Sequence, residues 1–451
     1  MDYIIYFVIT IAILVFVHEL GHFLAAKLSG MRAEVFAIGF GKRLFGWNKI
    51  IGFTWGELPK DFDGGDNTDY RLCLLPLGGY VKISGMIDES FDTKFASSEP
   101  QPYEFRAKST PKKLFVITAG VLMNFLLALI IFWGINFFHG KQIIKTTTLG
   151  IVENETIAKE SGFKSYDKIL KVNGVKVNDW EEVITAFLIN NVGRDIKVQV
   201  LRSGEKVDLF ISKNKIKKTS KSNFFLPIGN TAPVITDVMK DSPAMIAKIK
   251  AGDIILSIKD SAITSSRQVI GLVSSSKNIP INLKLLRGKD TINVSTTPSF
   301  EGKIGIALGD VYDGPIDYKK YGFFSAFSVS FDNMMNLTGV TYMMFRNVIA
   351  GNVEFNKVFG GPLKIAQFAA KSAESGILSF LSFLAALSLS LAILNILPFP
   401  VLDGGHFVII LIEGLIKREL PIKVKIAIQN AGFVILMLLM VFIIYNDIIS
   451  L

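Results

Sequence analysis

The sequence predicts a polytopic α-helical membrane protein with four spans and a soluble α+β region between the second and third of them. Three observations predict this. Half of the 451 residues are hydrophobic, only 20% are charged, and the mean hydropathy is +0.42, an unusual balance for a soluble chain. Four apolar runs reach the roughly 20 residues that a helix needs to cross a bilayer. The sequence between the middle two runs is mixed, rich in turns, and repeats itself.

The first run, residues 3–28, lacks a basic segment before it and continues to about Lys27 with charges inside it. It therefore reads as a retained span rather than a cleaved signal peptide. The others are residues 114–138, 377–397 and 426–445. Arg32, Lys42, Arg43 and Lys49 follow the first span, and Arg106, Lys108, Lys112 and Lys113 precede the second. Lys417, Arg418, Lys423 and Lys425 fill the connection between the last two. Positive charge near span ends marks the cytoplasmic face. That rule places 31–113 and 404–425 inside, and the middle region and both termini outside. The expected division is a first span within 1–30, a cytoplasmic region 31–113, a second span 114–138, soluble units at 141–215 and 223–310, a helical linker 320–374, a third span within 375–403, a cytoplasmic loop 404–425 and a fourth span within 426–446.

Residues 322–351 are apolar and helix-like, but Asp332, Asn333 and Asn336 interrupt them. As a fifth span they would turn the basic 417–425 segment outward, against the charge rule. They are expected as helix on the outer surface. The net charge of +10 comes from scattered lysines with no nucleic-acid motif, so nucleic acid is not expected as a partner, and the lipid bilayer is. Cys73 is the single cysteine, so no intramolecular disulfide forms.

The middle region carries an internal repeat. GFKSYDKILKVNGVKVNDWEEVI (162–184) parallels KIKAGDIILSIKDSAITSSRQVI (248–270), and VLRSGEKVDL (200–209) parallels LLRGKDTINV (285–294). Each copy has short β-branched runs, a helical segment near Trp180 or Gln268, and a final hairpin with a glycine turn. Two such units resemble tandem PDZ domains, on the pattern KAGDIILSI. The first copy departs from it with Tyr166 where glycine is usual. PDZ grooves bind extended chains by strand addition, so peptide or protein ligands are expected here; the plainer reading is a pair of small spacers.

The chemistry lies in the spans. VFVHELGHFLAAK (15–27) holds His18, Glu19 and His22 in an apolar run. Residues four apart share a helix face, so both imidazoles can bind one metal ion with Glu19 beside them to polarise water. Ionisable groups at this depth are costly and usually functional. A catalytic zinc site needs a third protein ligand. NILPFPVLDGGH (395–406) offers Asp403 or His406, near the cytoplasmic end of the third span. His18 lies about 22 Å along the first helix at ~1.5 Å per residue, also toward that side.

These motifs resemble those of the site-2 proteases, intramembrane zinc metalloproteases, and the tandem PDZ-like units resemble their sigma-E-regulating bacterial branch. HELGH matches the first motif, and NILPFPVLDGG holds the N-x-x-P-x-P-x-L-D-G motif complete. AGVLMNF (119–125) matches the second-span motif with Val121 where proline is common, while Gly120 and Asn124 are kept. The resemblance implies Zn2+ held by His18, His22 and Asp403, with Glu19 as the catalytic base. It implies that Asn395 binds substrate, and that DYRLCLLPLGGYVKISG (69–85) is a re-entrant β-hairpin whose Gly78, Gly79 and Tyr80 hold an unwound substrate extended. It implies an inner-membrane enzyme that cuts single-span proteins already trimmed outside, such as anti-sigma factors and remnant signal peptides. The PDZ-like pair then filters by size. The rival readings are a non-catalytic receptor for peptide tails, against which the complete motif argues, and a transporter, whose repeated membrane halves are not visible.

Overall fold

Among the described residues, four helices are long and apolar enough to cross a membrane: Tyr3–Leu28, Thr110–Phe138, Ile377–Asn395 and Ile422–Ile449. The computed structural model describes residues 2–59, 62, 64–86, 99–152, 157–187, 191, 194–213, 226–351 and 360–449. It divides into two units, Met1–Gly140 with Lys320–Leu451, and Lys141–Lys319.

The first unit runs α1 (Asp2–Leu28), β1 (Ala33–Asn48), β2 (Gly52–Trp55), β3 (Asp69–Ile83), α2 (Thr110–Phe138), α3 (Phe323–Ile349), α4 (Pro362–Glu374), α5 (Ile377–Asn395), α6 (Asp403–Ile416) and α7 (Ile422–Ile449). Of the four candidate spans, α2 is the central one: 44% of its most apolar window is buried, against 11% for α7. Close approach needs small residues where helices cross. A Cβ on Gly21 would lie 2.4 Å from the Ala119 carbonyl oxygen, so this glycine lets α1 and α2 touch between the two motif histidines.

The three strands form one sheet in the order β2-β1-β3, antiparallel except where 35–38 and 69–72 run side by side in the same direction. The hairpin expected within 69–85 has a different form. Its halves do not pair with each other, because β1 runs between them: Ile38 faces Leu72 on one side and Gly79 on the other. The bend in β1 is fixed by Arg43, whose side chain is fully buried. It pairs with Asp69 at 3.2 Å and donates to the Thr54 and Gly56 carbonyls. A buried guanidinium is tolerated only when its donors find partners in this way. Beyond Leu75, residues 79–83 of β3 pair with 33–38 of β1 and stand last in the strand order of this sheet.

The 322–351 helix was expected on or near the outer surface; the first half of α3 lies along the last turns of α2. Ala326, Ser330 and Met334, four residues apart, form its buried face. Asn136 donates to the Ser330 hydroxyl at 2.7 Å, and the Trp133 indole donates to the Phe323 carbonyl at 3.0 Å. Of the polar residues that interrupt this segment, Asp332 and Asn336 are exposed; the polar contacts to α2 are made by Ser330 and the Phe323 carbonyl. The stretch 404–425, expected as a loop, is mostly α6. Its glycines allow a helix to start against the preceding turn, since a Cβ on Gly404 would meet the Leu397 oxygen at 2.2 Å and one on Gly405 the Phe399 oxygen at 2.3 Å.

The second unit holds both repeats, each with its own core, one around Phe163, Ile169 and Val198 and one around Ile235, Ile255 and Leu283. The join at 214–225 lies outside the described residues, and residue 310, the expected end, falls inside strand Ile306–Tyr312. The repeat is visible atom by atom. Asp167 takes the Arg202 guanidinium and Asp253 the Arg287 guanidinium, each at 2.7 Å. The backbone amides of Lys164 and Lys250 donate to the same two carboxylates. Burial pushes Asp253 up, but the Arg287 and Lys250 hydrogen bonds outweigh it and hold its pKa below the usual carboxylate range. Thr148 bridges Lys168 as Val234 pairs with Ile254.

The sequence departure at Tyr166 has a structural cost. Tyr166 has φ +67° where its counterpart Gly252 has φ +89°. A side chain in the left-handed region costs about 1–2 kcal/mol. Tyr166→Gly removes that strain at an exposed position but adds backbone entropy to the unfolded chain. A net gain of about 1 kcal/mol is expected, raising the Tm of this unit by roughly 2–4 °C. Calorimetry of the full-length protein checks it; an unchanged or lower Tm refutes the strain argument.

Candidate metal centre

The centre is built where α1, α2, the end of α5 and the start of α6 meet. His18 and His22 stand one turn apart on α1, with rings edge to face at 80°. The chain leaves α5 at Asn395, passes Pro398 and Pro400, and turns through Val401 at φ +81°. Such a conformation is unusual for a β-branched residue and marks a constrained site. It places Asp403 at the first residue of α6.

The three side chains converge. His18 Nε2 and His22 Nε2 are 3.2 Å apart, and Asp403 Oδ2 is 3.2 Å from the first and 3.5 Å from the second. Tetrahedral zinc ligands at ~2.0–2.1 Å from the ion lie about 3.3 Å from one another, so the triangle matches one face of a zinc tetrahedron. Asp403 Oδ2 is buried with no hydrogen-bond partner, the state of an oxygen whose partner is a cation. The other face of His22 is fixed: its Nδ1 lies 2.9 Å from the Val116 carbonyl oxygen. With Nδ1–H donating there, Nε2 presents its lone pair to the centre. These residues fit a zinc ion.

Gly120 supplies the space. A Cβ at this position would lie 2.4 Å from His22 Nε2 and 2.7 Å from His18 Cε1. Both rings therefore rest on bare backbone of α2.

Glu19 is 8% exposed and lines a cavity of about 60 Å³ together with His18, His22, Asp403, Val81 and Met86. That volume holds a few waters. A second cavity, of about 100 Å³, shares Met86, Ile117 and His406 with the first and reaches Lys113, Glu413 and Lys425. His406 does not join the triangle. Its Nε2 lies 3.3 Å from the Gln429 side-chain nitrogen, and the group of possible metal ligands found among the described residues is His18, His22 and Asp403.

The other expected site residues divide. Asn395 Nδ2 lies 3.4 Å from His18 Nε2, at the edge of the centre. Side chains alternate along a strand, and the hairpin residues follow that rule. A Cβ on Gly79 would meet Val15 at 2.8 Å and Glu19 Cγ at 3.1 Å, so Gly79 faces the centre. Gly78 and Tyr80 face Phe40 instead. Its ring stacks on Tyr80 at 6.2 Å, and a Cβ on Gly78 would overlap it. Sequence reasoning gave no role to Val81, Met86 or Val116, because nothing in their residue types marks them.

The family model for peptidase family M50 matches residues 6–439. The chain belongs to peptidase family M50. A Vibrio cholerae protein named as a zinc metalloprotease is 31% identical to this M50 peptidase over 98% of this chain and 97% of its own. Protease RseP of Yersinia pestis is 30% identical, and the regulator of sigma-E protease RseP of Escherichia coli 29%, each over 98% of this chain and 97% of its own. The M50 peptidase described here is thus a membrane zinc metalloprotease of the site-2 protease family.

Proposed function

We propose that this enzyme hydrolyses peptide bonds within the transmembrane segments of single-span proteins already trimmed on their outer side. The observation that carries the reading is the His18–His22–Asp403 triangle set beside the 79–83 half of β3, with Gly79 against Glu19. A helix hides its amides in its own hydrogen bonds, and irregular backbone needs partners in a membrane. The edge at 79–83 offers an unwound substrate those partners by strand addition.

In this reading His18, His22 and Asp403 hold zinc. When bound, zinc supplies Lewis-acid polarisation of the scissile carbonyl and makes water a nucleophile at neutral pH. Glu19 accepts the proton of the attacking water and returns it to the leaving amine nitrogen. Gly79 lets the substrate backbone approach the carboxylate, and Asn395 holds a substrate peptide group. Gly78 and Tyr80 act one step away, by packing the strand against Phe40. Water enters from the side of the 417–425 segment through the two adjoining cavities, which makes that side cytoplasmic by its charge.

The relatives named for sigma-E regulation support an anti-sigma factor as one substrate class; remnant signal peptides fit the same chemistry. The two repeats act as outward-facing PDZ-like units, able to take peptide or protein ligands and to exclude stems with large outer portions. The location is the bacterial inner membrane, with both termini periplasmic. The test uses purified full-length protein in detergent and a model single-span substrate with and without an outer domain. Cleavage of the trimmed form alone, abolished by a zinc chelator and restored by zinc, is expected. Deleting residues 141–319 should admit the untrimmed form. Cleavage that survives metal removal overturns the reading of the site, and a folded deletion variant that still rejects untrimmed substrate overturns the filter.

A further inference from the structure

His18 is gripped from both sides. Its Nε2 faces the triangle, and its Nδ1 lies 3.2 Å from the side-chain nitrogen of Asn124. Asn124 is fully buried, and its Oδ1 is buried without a hydrogen-bond partner. An imidazole that offers its Nε2 lone pair carries its proton on Nδ1. As placed, the amide N–H and the Nδ1–H would then be two donors facing each other. The nitrogen and oxygen of an asparagine amide have the same shape, so turning the group by 180° is sterically neutral. The turn sets Oδ1 against Nδ1–H, and in one move gives the orphan acceptor a donor and removes the clash of donors.

The same arrangement recurs at His22, where Nδ1 meets the Val116 carbonyl. Val116, Gly120 and Asn124 are spaced by four and form one stripe of α2. The first orients one imidazole, the second leaves room for both, and the third faces the other imidazole. The stripe is held in place, since the Ser388 hydroxyl of α5 donates to the Asn124 carbonyl at 2.8 Å.

We infer that Asn124 is a positioning residue that fixes the tautomer and ring plane of His18 by accepting a hydrogen bond from its Nδ1–H. The inference rests on the reading of His18 as a metal ligand. Groups that orient a ligating histidine change metal affinity about 10–100-fold when removed. Asn124→Leu keeps the volume and deletes the acceptor. Asn124→Asp keeps an acceptor and cannot donate. A role in packing alone would favour Leu, because an extra buried carboxylate is costly without a donor; the acceptor role favours Asp.

The experiment measures zinc affinity of full-length protein in detergent by chelator competition, with the visible spectrum of the cobalt-substituted protein on the same variants. Asn124→Leu is expected to weaken zinc about 10–100-fold and shift the cobalt bands, while Asn124→Asp binds within about threefold of wild type or tighter. Wild-type affinity in Asn124→Leu overturns the proposal, as does an equal loss in both variants. His18→Ala separates the two readings. If it loses zinc while Asn124→Leu does not, only the Asn124 role falls. If it binds zinc like wild type, the ligand assignment itself fails.

Discussion

Glu19→Gln is expected to lower kcat by about 10²–10⁴-fold, the usual contribution of general acid–base catalysis, while zinc content and KM stay near wild type. The substitution exchanges one oxygen for an amide group of equal size, at a residue outside the His18–His22–Asp403 triangle. The seat of the side chain is set by its neighbours, with Gly79 of β3 packed against its Cγ and the cavity shared with both histidines. The variant therefore keeps the shape of the site and loses only the capacity to take and return a proton. An interaction made only in the transition state shows itself as a fall in kcat without a rise in KM. Single-turnover cleavage of a trimmed substrate, with metal measured on the same sample, checks the prediction. Full activity in Glu19→Gln would remove Glu19 from the chemistry. Loss of zinc would mean that Glu19 acts on the metal centre and not on water.

Much of this centre is legible in the sequence because helical spacing dictates it. His18 and His22 share a face at any register of α1, and the turn after Asn395 is written in Pro398, Pro400 and the two glycines that let α6 begin against it. Tyr166 is legible for the same local reason, since the second copy shows which position requires φ above zero. What is not legible depends on partners distant in the chain. Asn124 stands out in the sequence only by the resemblance of AGVLMNF to a family motif, and the imidazole it meets lies 106 residues earlier. The packing of the 322–351 helix along α2 is hidden for the same reason, since Ser330 meets Asn136, 194 residues earlier. Residues 69–85 read as a hairpin because their strand character and Gly-Gly step are local, while the insertion of β1 between the halves is not. The basic residues of 417–425 draw attention to a loop and obscure the apolar helix that precedes it.

Gly120→Ala tests the architecture in the opposite direction from Glu19→Gln: it should leave the base and remove the metal. On a helix the Cβ position is fixed by the backbone, so the added methyl must sit 2.4 Å from His22 Nε2 and 2.8 Å from His18 Nε2. Neither ring can retreat freely. His22 is held to the Val116 carbonyl, and His18 lies against Asn124, both from the same helix as the intruding methyl. Overpacking of this kind costs about 1–3 kcal/mol where neighbours can shift, and here the shift is the displacement of two ligand atoms. Zinc affinity is expected to fall by at least about 100-fold, as ~3 kcal/mol implies, with activity falling in parallel. Gly134→Ala is the matched control on α2, since a Cβ there meets nothing within 4 Å. Alanine is the better helix former by about 1 kcal/mol, so this variant should keep its zinc and unfold no more easily than wild type. If Gly120→Ala bound zinc as tightly as Gly134→Ala, the imidazoles would have to stand elsewhere than against α2. The triangle, the stripe of Val116, Gly120 and Asn124, and the role given to each would fall together.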